Sequence, residues 1–217
     1  MLVFDRVNKY YRVGGVKKTI LSDFSFSFPT ERNVGIMGKN GAGKSTMMRL
    51  MAGIEPPNQG NVFRTSRVSW PLGFSGGFNG SMTGMENIRF VSRIYGQDPS
   101  RVISYVTKFA ELGSSLRLPI KTYSSGMKAR LAFGLSMAID FDVYLIDEIT
   151  AVGDEEFKKK SKAVFQDKLA RSQIIMISHS PSTIAQYCDC GLLLEGARIR
   201  FFDRGDDLLV AYNELNR

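Results

Sequence analysis

Val34 to Met51 constrains this chain more than any other stretch. Val34-Gly35-Ile36-Met37 is a short apolar run of strand type, and Gly38-Lys39-Asn40-Gly41-Ala42-Gly43-Lys44-Ser45-Thr46 contains a full G-x-x-x-x-G-K-[ST] motif. Thr46 to Met51 then reads as helix. Buried strand, glycine loop and helix in that order are the context in which the motif predicts phosphate binding, not a surface turn with a chance lysine. Gly38, Gly41 and Gly43 let the backbone turn with its N–H groups inward as an anion-sized nest, and the helix adds the positive end of its dipole. Lys44 is placed to reach the β- and γ-phosphates of a nucleotide, and the Ser45 hydroxyl to ligand Mg²⁺.

At 217 residues the chain can bury a sizeable core, most simply as one domain with a small inserted lobe. No apolar run approaches the roughly 18–20 residues needed to cross a bilayer. Met1-Leu2-Val3-Phe4 leads straight into Asp5 and Arg6, which is not a signal peptide, so a cytoplasmic location is expected. Cys188 and Cys190 lie too close for an ordinary framework disulfide and are too few for a structural zinc site. A net charge of +8 raises two partner classes, nucleic acid and the anionic cytoplasmic face of a membrane. The basic residues are scattered as pairs and triples such as Lys17-Lys18 and Lys158-Lys159-Lys160, solvated faces by default, and no nucleic-acid module accompanies them.

Leu2-Val3-Phe4 reads as a first strand, and Ile20 to Phe28, with Phe24, Phe26 and Phe28 on one side, as a second. Between them Lys9 to Gly15 reads as a loop whose Tyr10 and Tyr11 either stack a nucleobase or pack on the core. Asn61-Val62-Phe63 and Arg67-Val68-Ser69-Trp70 are expected as short strands, followed by a flexible glycine-rich loop from Leu72 to Met82. Thr83 and Glu86 form a capping-box signature before a helix over 86–95, and Pro99 opens another to about Leu112. Residues 83–122 thus read as a helical inserted lobe. Tyr123-Ser124-Ser125-Gly126-Met127 precedes a helix over 128–139 and is either a second anion contact or a plain capped helix start.

Val143 to Ile146 is a short apolar strand ending in Asp147-Glu148. With Lys44 and Ser45 upstream, Asp147 fits as a Mg²⁺ partner and Glu148 as the carboxylate that polarises an attacking water. Gln173 to Ser178 is the next buried strand, ending at His179, the only histidine, either structural or a γ-phosphate sensor. A helix is expected after Pro181, a glycine-turned hairpin over 191–202 and a last helix over 206–215. Strands at 34–37, 143–146 and 174–177 alternating with helices argue for an α/β fold with a mostly parallel sheet covered on both faces. All three carboxyl ends carry the singled-out residues, where ligands of such sheets bind.

These residues resemble the nucleotide-binding subunit of ATP-binding cassette transporters over essentially the whole chain. The likeness rests on Gly38 to Thr46, Tyr123 to Met127, Asp147-Glu148, Ala151-Val152-Gly153-Asp154 and His179, in that order. More narrowly, Ser69-Trp70-Pro71, Gly77 to Gly84, Tyr123 to Leu131 and Ile177 to Ser180 resemble the ATPase subunits of bacterial capsular polysaccharide exporters. The resemblance implies a P-loop NTPase over 1–217 with antiparallel N-terminal strands and an inserted helical subdomain at about 83–130. It implies ATP with Mg²⁺ as cofactors: Gly38, Asn40, Gly41, Gly43, Lys44, Ser45 and Thr46 around the phosphates, Tyr11 stacked on adenine, and Ser45 and Asp147 holding Mg²⁺. Glu148 and His179 would serve hydrolysis. Ser124, Ser125 and Gly126 would complete the site of a second copy in a head-to-tail dimer, with Asp154 tying the two sites together. The implied partners are transmembrane permease subunits and, beyond them, periplasmic and outer-membrane export proteins, with the chain peripheral on the cytoplasmic face of the inner membrane.

Two departures accompany the likeness. The signature has Ser125 for the first glycine of the common form and Met127 for its glutamine, and the glutamine usual after Trp70 is absent. A backbone or water-mediated contact is expected in its place. Within the resemblance, the few residues after the hairpin lead one to expect no carbohydrate-binding domain like that of many O-antigen exporters, an expectation that favours capsule as cargo. O-antigen, teichoic acid or a drug are the alternative cargoes. A cassette protein acting on ribosomes or DNA is disfavoured, and no nucleic-acid partner is expected.

Overall fold

The computed structural model describes residues 1–72, 77–147 and 155–216. It divides into two compact units: Met1–Pro71, Phe141–Ile149 and Ser172–Arg217 form the first, and Leu72–Asp140 and Thr150–Arg171 the second.

The first unit holds two sheets. A five-stranded one has the order β5 (Val143–Asp147), β6 (Gln173–Ile177), β3 (Val34–Gly38), β7 (Cys190–Glu195) and β8 (Arg198–Phe202). All its pairings are parallel except β7 with β8. Every residue of β3 is buried, as a strand covered on both faces requires. The other sheet is antiparallel, in the order β2 (Val16–Ser27), β1 (Leu2–Val13) and β4 (Gln59–Arg64). The unit's core joins Leu2, Phe4 and Leu21 from this sheet, Ile36, Leu145 and Ile175 from the parallel one, and Met47, Leu50 and Met51 of helix α1 (Lys44–Ala52).

Two expectations are corrected here. Lys9 to Val13 is not loop but the second half of β1, paired with β2 through Tyr10–Thr19, Tyr11–Lys18 and Arg12–Lys17. Gly14 and Gly15, at φ 57° and 82°, close that hairpin with the two left-handed residues of a tight turn that matches strand twist. Arg67 to Trp70 is not a strand either: only Val68 makes a single parallel bridge, to Val143. Three backbone bonds, from the Ser69 N–H to the Val143 carbonyl and from the N–H groups of Asp142 and Val143 to the Arg67 carbonyl, are supplemented by side chains. Asp142 Oδ2 accepts the Arg67 N–H at 2.8 Å and Ser69 Oγ accepts the Leu145 N–H at 2.9 Å. Ser69 is wholly buried, so Ser69→Ala strands the Leu145 N–H without an acceptor. That substitution is expected to cost about 1–3 kcal/mol in urea unfolding; an unchanged midpoint would mean that another acceptor replaces it.

The second unit is helical: α2 (Gly84–Ile94), α3 (Pro99–Ala110), α4 (Ser125–Ala138) and α5 (Glu155–Leu169), with 3-10 turns at Gly113–Arg117 and Ile120–Thr122. The Thr83–Glu86 capping box forms at the start of α2, and Asp98 caps α3 with Pro99 in its first turn. Helices α3 to α5 meet through Phe109, Phe133 and Phe157, whose ring centroids lie 5.4–6.4 Å apart. Helices α6 (Pro181–Tyr187) and α7 (Gly205–Leu215) complete the first unit. Cys188 and Cys190 are free buried thiols, and Cys188 is pushed up to about 12, by burial first and then by Asp189 and Cys190.

Candidate nucleotide site

The carboxyl ends of β3, β5 and β6 converge on one cleft of about 420 Å³. Asn40, Gly41, Gly43, Lys44, Ser45 and Thr46 line its floor, Asp147, Ile177 and His179 one wall, and Tyr11, Lys18, Ile20 and Arg49 the other. Asp147 and Ile177 are direct partners in the β5–β6 register, which sets the carboxylate beside the strand that leads to His179.

The floor is built by the loop's backbone. Gly43 caps α1 at φ 104°, and a Cβ there would overlap the Cγ2 methyl of Ile20 on β2. No side chain caps α1 and no acid sits in its first turn, so its first N–H groups and the positive end of its dipole are left to the cleft. Lys44 is only 6% exposed, and its Nζ donates to the carbonyls of Gly38 at 2.7 Å and Lys39 at 3.1 Å. That folds the ammonium across the loop beside the nest, where it could face an anion held by the loop's N–H groups. Gly38 itself is buried at the end of β3 and does not line the cleft.

Ser45 is exposed, and Asp147 is half-buried. A hydroxyl and a carboxylate lining one cleft are the hard oxygen donors that suit Mg²⁺, which takes few protein ligands and completes its shell with phosphate and water. The donor set fits the ion.

The tyrosine wall contains contacts that the sequence did not disclose. Tyr11 Oη donates to the Glu55 carboxylate, at 2.8 and 2.9 Å from its two oxygens, and accepts from Arg49 Nη2 at 3.1 Å. Arg49 Nη2 also donates to Thr46 Oγ1 at 3.1 Å, and Arg49 Nε to Glu55 Oε2 at 3.1 Å. Lys9, 5% exposed, pairs with Glu55 Oε1 at 2.7 Å. Burial works to raise the Glu55 pKa, but hydrogen bonds from Lys9, Tyr11 and Arg49 outweigh it and hold the carboxyl below its usual range. Lys18 on β2 also lines the cleft, beside the Gly41 backbone. Read as half of a basic pair on a solvated face, it is a cation at the phosphate loop.

In the helical unit Ser124 caps α4, accepting the Met127 N–H at 3.2 Å, and the helix starts at Ser125, earlier than expected because this hydroxyl nucleates the turn. Ser124 and Ser125 are exposed. Glu148 and Asp154 lie outside the described residues, as do 73–76 of the expected flexible loop.

A mostly parallel sheet with a glycine nest after its central strand β3, a cation folded over that nest and a carboxylate at the end of β5, one strand beyond β6, define a nucleotide-binding cassette. The chain belongs to the ABC transporter family, whose model matches residues 21–151. It is 46% identical over 217 residues to the ATP-binding protein BexA of Haemophilus influenzae, covering 100% of both chains. It is 47% identical over 215 residues to the capsule polysaccharide export ATP-binding protein CtrD of Neisseria meningitidis serogroup B, covering 99% of this chain and 100% of that one. It is also 45% identical to the polysialic acid transport ATP-binding protein KpsT of Escherichia coli over 89% of this chain and 90% of that one. Among solved structures, a dimeric ATP-binding cassette in a post-hydrolysis state with ADP and Pi matches with a TM-score of 0.71 at 18% identity, over 94% of this chain and 99% of that one. The ATP-binding subunit of an ABC transporter matches with a TM-score of 0.70 at 20% identity over 100% of each. At such identities the structural likeness speaks for the ABC ATPase fold alone.

Proposed function

We propose that this chain is the ATP-hydrolysing, energy-coupling subunit of an ABC transporter that exports capsular polysaccharide. The observation that carries the cargo is the 47% identity, over nearly the whole of both chains, to a protein named for capsule polysaccharide export. Relatives named for O-antigen and teichoic acid export reach only 36% and 37% identity, and the O-antigen relative that the chain spans over 88% of its length is 33% identical.

In this reading Gly41, Gly43, Lys44 and Thr46 bind the phosphates, Tyr11 stacks on adenine, and Ser45 and Asp147 hold Mg²⁺. The ion, when bound, neutralises phosphate charge. Glu148, next in the chain after Asp147, orients and deprotonates the attacking water, and His179 reads the γ-phosphate. Ser124, Ser125 and Gly126 serve the nucleotide of a second copy in a head-to-tail dimer, and Asp154 links the two sites. Among the described residues no helix is long and apolar enough to cross a membrane. In this reading the chain sits peripherally on the cytoplasmic face of the inner membrane and drives separate transmembrane permease subunits. Periplasmic and outer-membrane export proteins act downstream of them.

Deleting the gene in its host is expected to abolish surface capsule while polymer accumulates inside, with both reversed when the chain is supplied in trans. Normal surface capsule with altered O-antigen or teichoic acid would replace the cargo assigned here.

A further inference from the structure

Tyr11 is held on both its hydroxyl and its ring. The hydroxyl donates to both oxygens of Glu55 and accepts from Arg49, so its position is fixed along two directions. The ring carries the Lys9 ammonium over one face, with Nζ 5.2 Å from the centroid. Lys9 is itself pinned, to Glu55 at 2.7 Å and to the Pro56 carbonyl at 2.8 Å. Arg49 closes the circuit onto Thr46 in the first turn of α1.

We propose that Glu55, with Lys9 and Arg49, is a positioning group that presets Tyr11 as a platform for the purine of the bound nucleotide. The inference rests on the nucleotide reading of the cleft and adds to it the residues that make the platform rigid. A tyrosine ring free to change rotamer loses entropy when a base stacks on it; a ring already tethered loses little, so the tether appears as affinity. The cation on one face draws ring electron density toward itself. The opposite face then repels an electron-rich base less and stacks more strongly. Arg49 makes the tether specific to this fold, because it ties the base platform to the helix that carries the phosphate loop. One carboxylate thereby fixes the spacing between the two ends of the ligand.

Glu55→Gln keeps shape but removes the charge that holds the hydroxyl, the guanidinium and the ammonium together. In ATP hydrolysis by the full chain it is expected to raise KM about three- to tenfold, the loss falling on KM rather than kcat. Isothermal titration with ATP should weaken by the same factor, while binding of inorganic tripolyphosphate, which has no base, stays at the wild-type value. Tyr11→Phe keeps the ring and removes the tether, so it should reproduce the effect, and the double variant should add nothing further. If Glu55→Gln proves unfolded by circular dichroism, Tyr11→Phe, which deletes a single hydroxyl, decides the matter alone. Unchanged ATP affinity in Tyr11→Phe and in a folded Glu55→Gln overturns the proposal. So does an equal loss for ATP and tripolyphosphate, which would make the cluster a general structural support. A wild-type chain that binds neither ligand overturns the nucleotide reading and this inference with it, an outcome distinct from variants that match a competent wild type.

Discussion

Glu148→Gln is expected to lower ATP turnover by about 10²- to 10⁴-fold while ATP still binds. The reasoning starts from the neighbours that the substitution leaves alone. In the proposed reading the glycine nest, Lys44 and Asp147, which line the cleft, hold phosphate and cation without Glu148, so ground-state affinity should stay. An amide is nearly isosteric with a carboxylate and can hold a water, but it cannot take the proton that the water must lose as it attacks phosphorus. The loss should therefore fall on kcat, read as phosphate release at saturating ATP, and leave the titrated affinity near wild type. A second readout follows from the proposed sandwich. If ATP is held between two copies and released by hydrolysis, the variant should accumulate as a dimer in ATP and remain monomeric in ADP, measured by light scattering on a sizing column. Retained turnover would sink the role assigned to Glu148, whereas lost turnover without dimer would sink only the shared site.

The phosphate loop was legible in the sequence because its chemistry is local: nest, lysine and hydroxyl fall within Gly38 to Thr46, and backbone geometry does the rest. The parallel strands were legible for a related reason. Strands buried on both faces read as unbroken apolar runs, and Val34, Val143 and Ile174 each begin one. Strand β1 was half hidden because its pairing slips between Phe4 and Val7, between Val7 and Lys9, and between Lys9 and Tyr10. Each slip breaks the period-two signal, so buried Leu2, Phe4, Val7 and Lys9 do not alternate cleanly, and a buried lysine argues against a strand core. The Tyr11 tether was beyond reach altogether. Lys9 and Glu55 are far apart in sequence and meet only once β1 and the loop after α1 have folded. Lys18 reaches the cleft from the far side of a hairpin, and only the β1–β2 register brings it there.

Gly43→Ala should be a strongly damaging single-methyl change in the cleft floor. Two separate penalties meet there. The backbone sits at φ 104°, outside the region an L-residue tolerates, and the new methyl would overlap Ile20 on the neighbouring sheet. Together these cost about 2–5 kcal/mol, through backbone strain and overpacking, unless the loop moves. Movement would pull the α1 N-terminus and Lys44 off the phosphate position, so either response weakens ATP binding. The two penalties can be separated with Ile20→Ala, which removes the obstacle but not the torsion. In urea unfolding the double variant should be less destabilised than the sum of the singles by about 1–3 kcal/mol, the part due to overlap. ATP affinity should recover only in part, because the left-handed turn remains strained. Strict additivity would place the whole cost in the backbone. Wild-type stability and affinity in Gly43→Ala itself would mean that the nest does not need the turn from which its anion site is built.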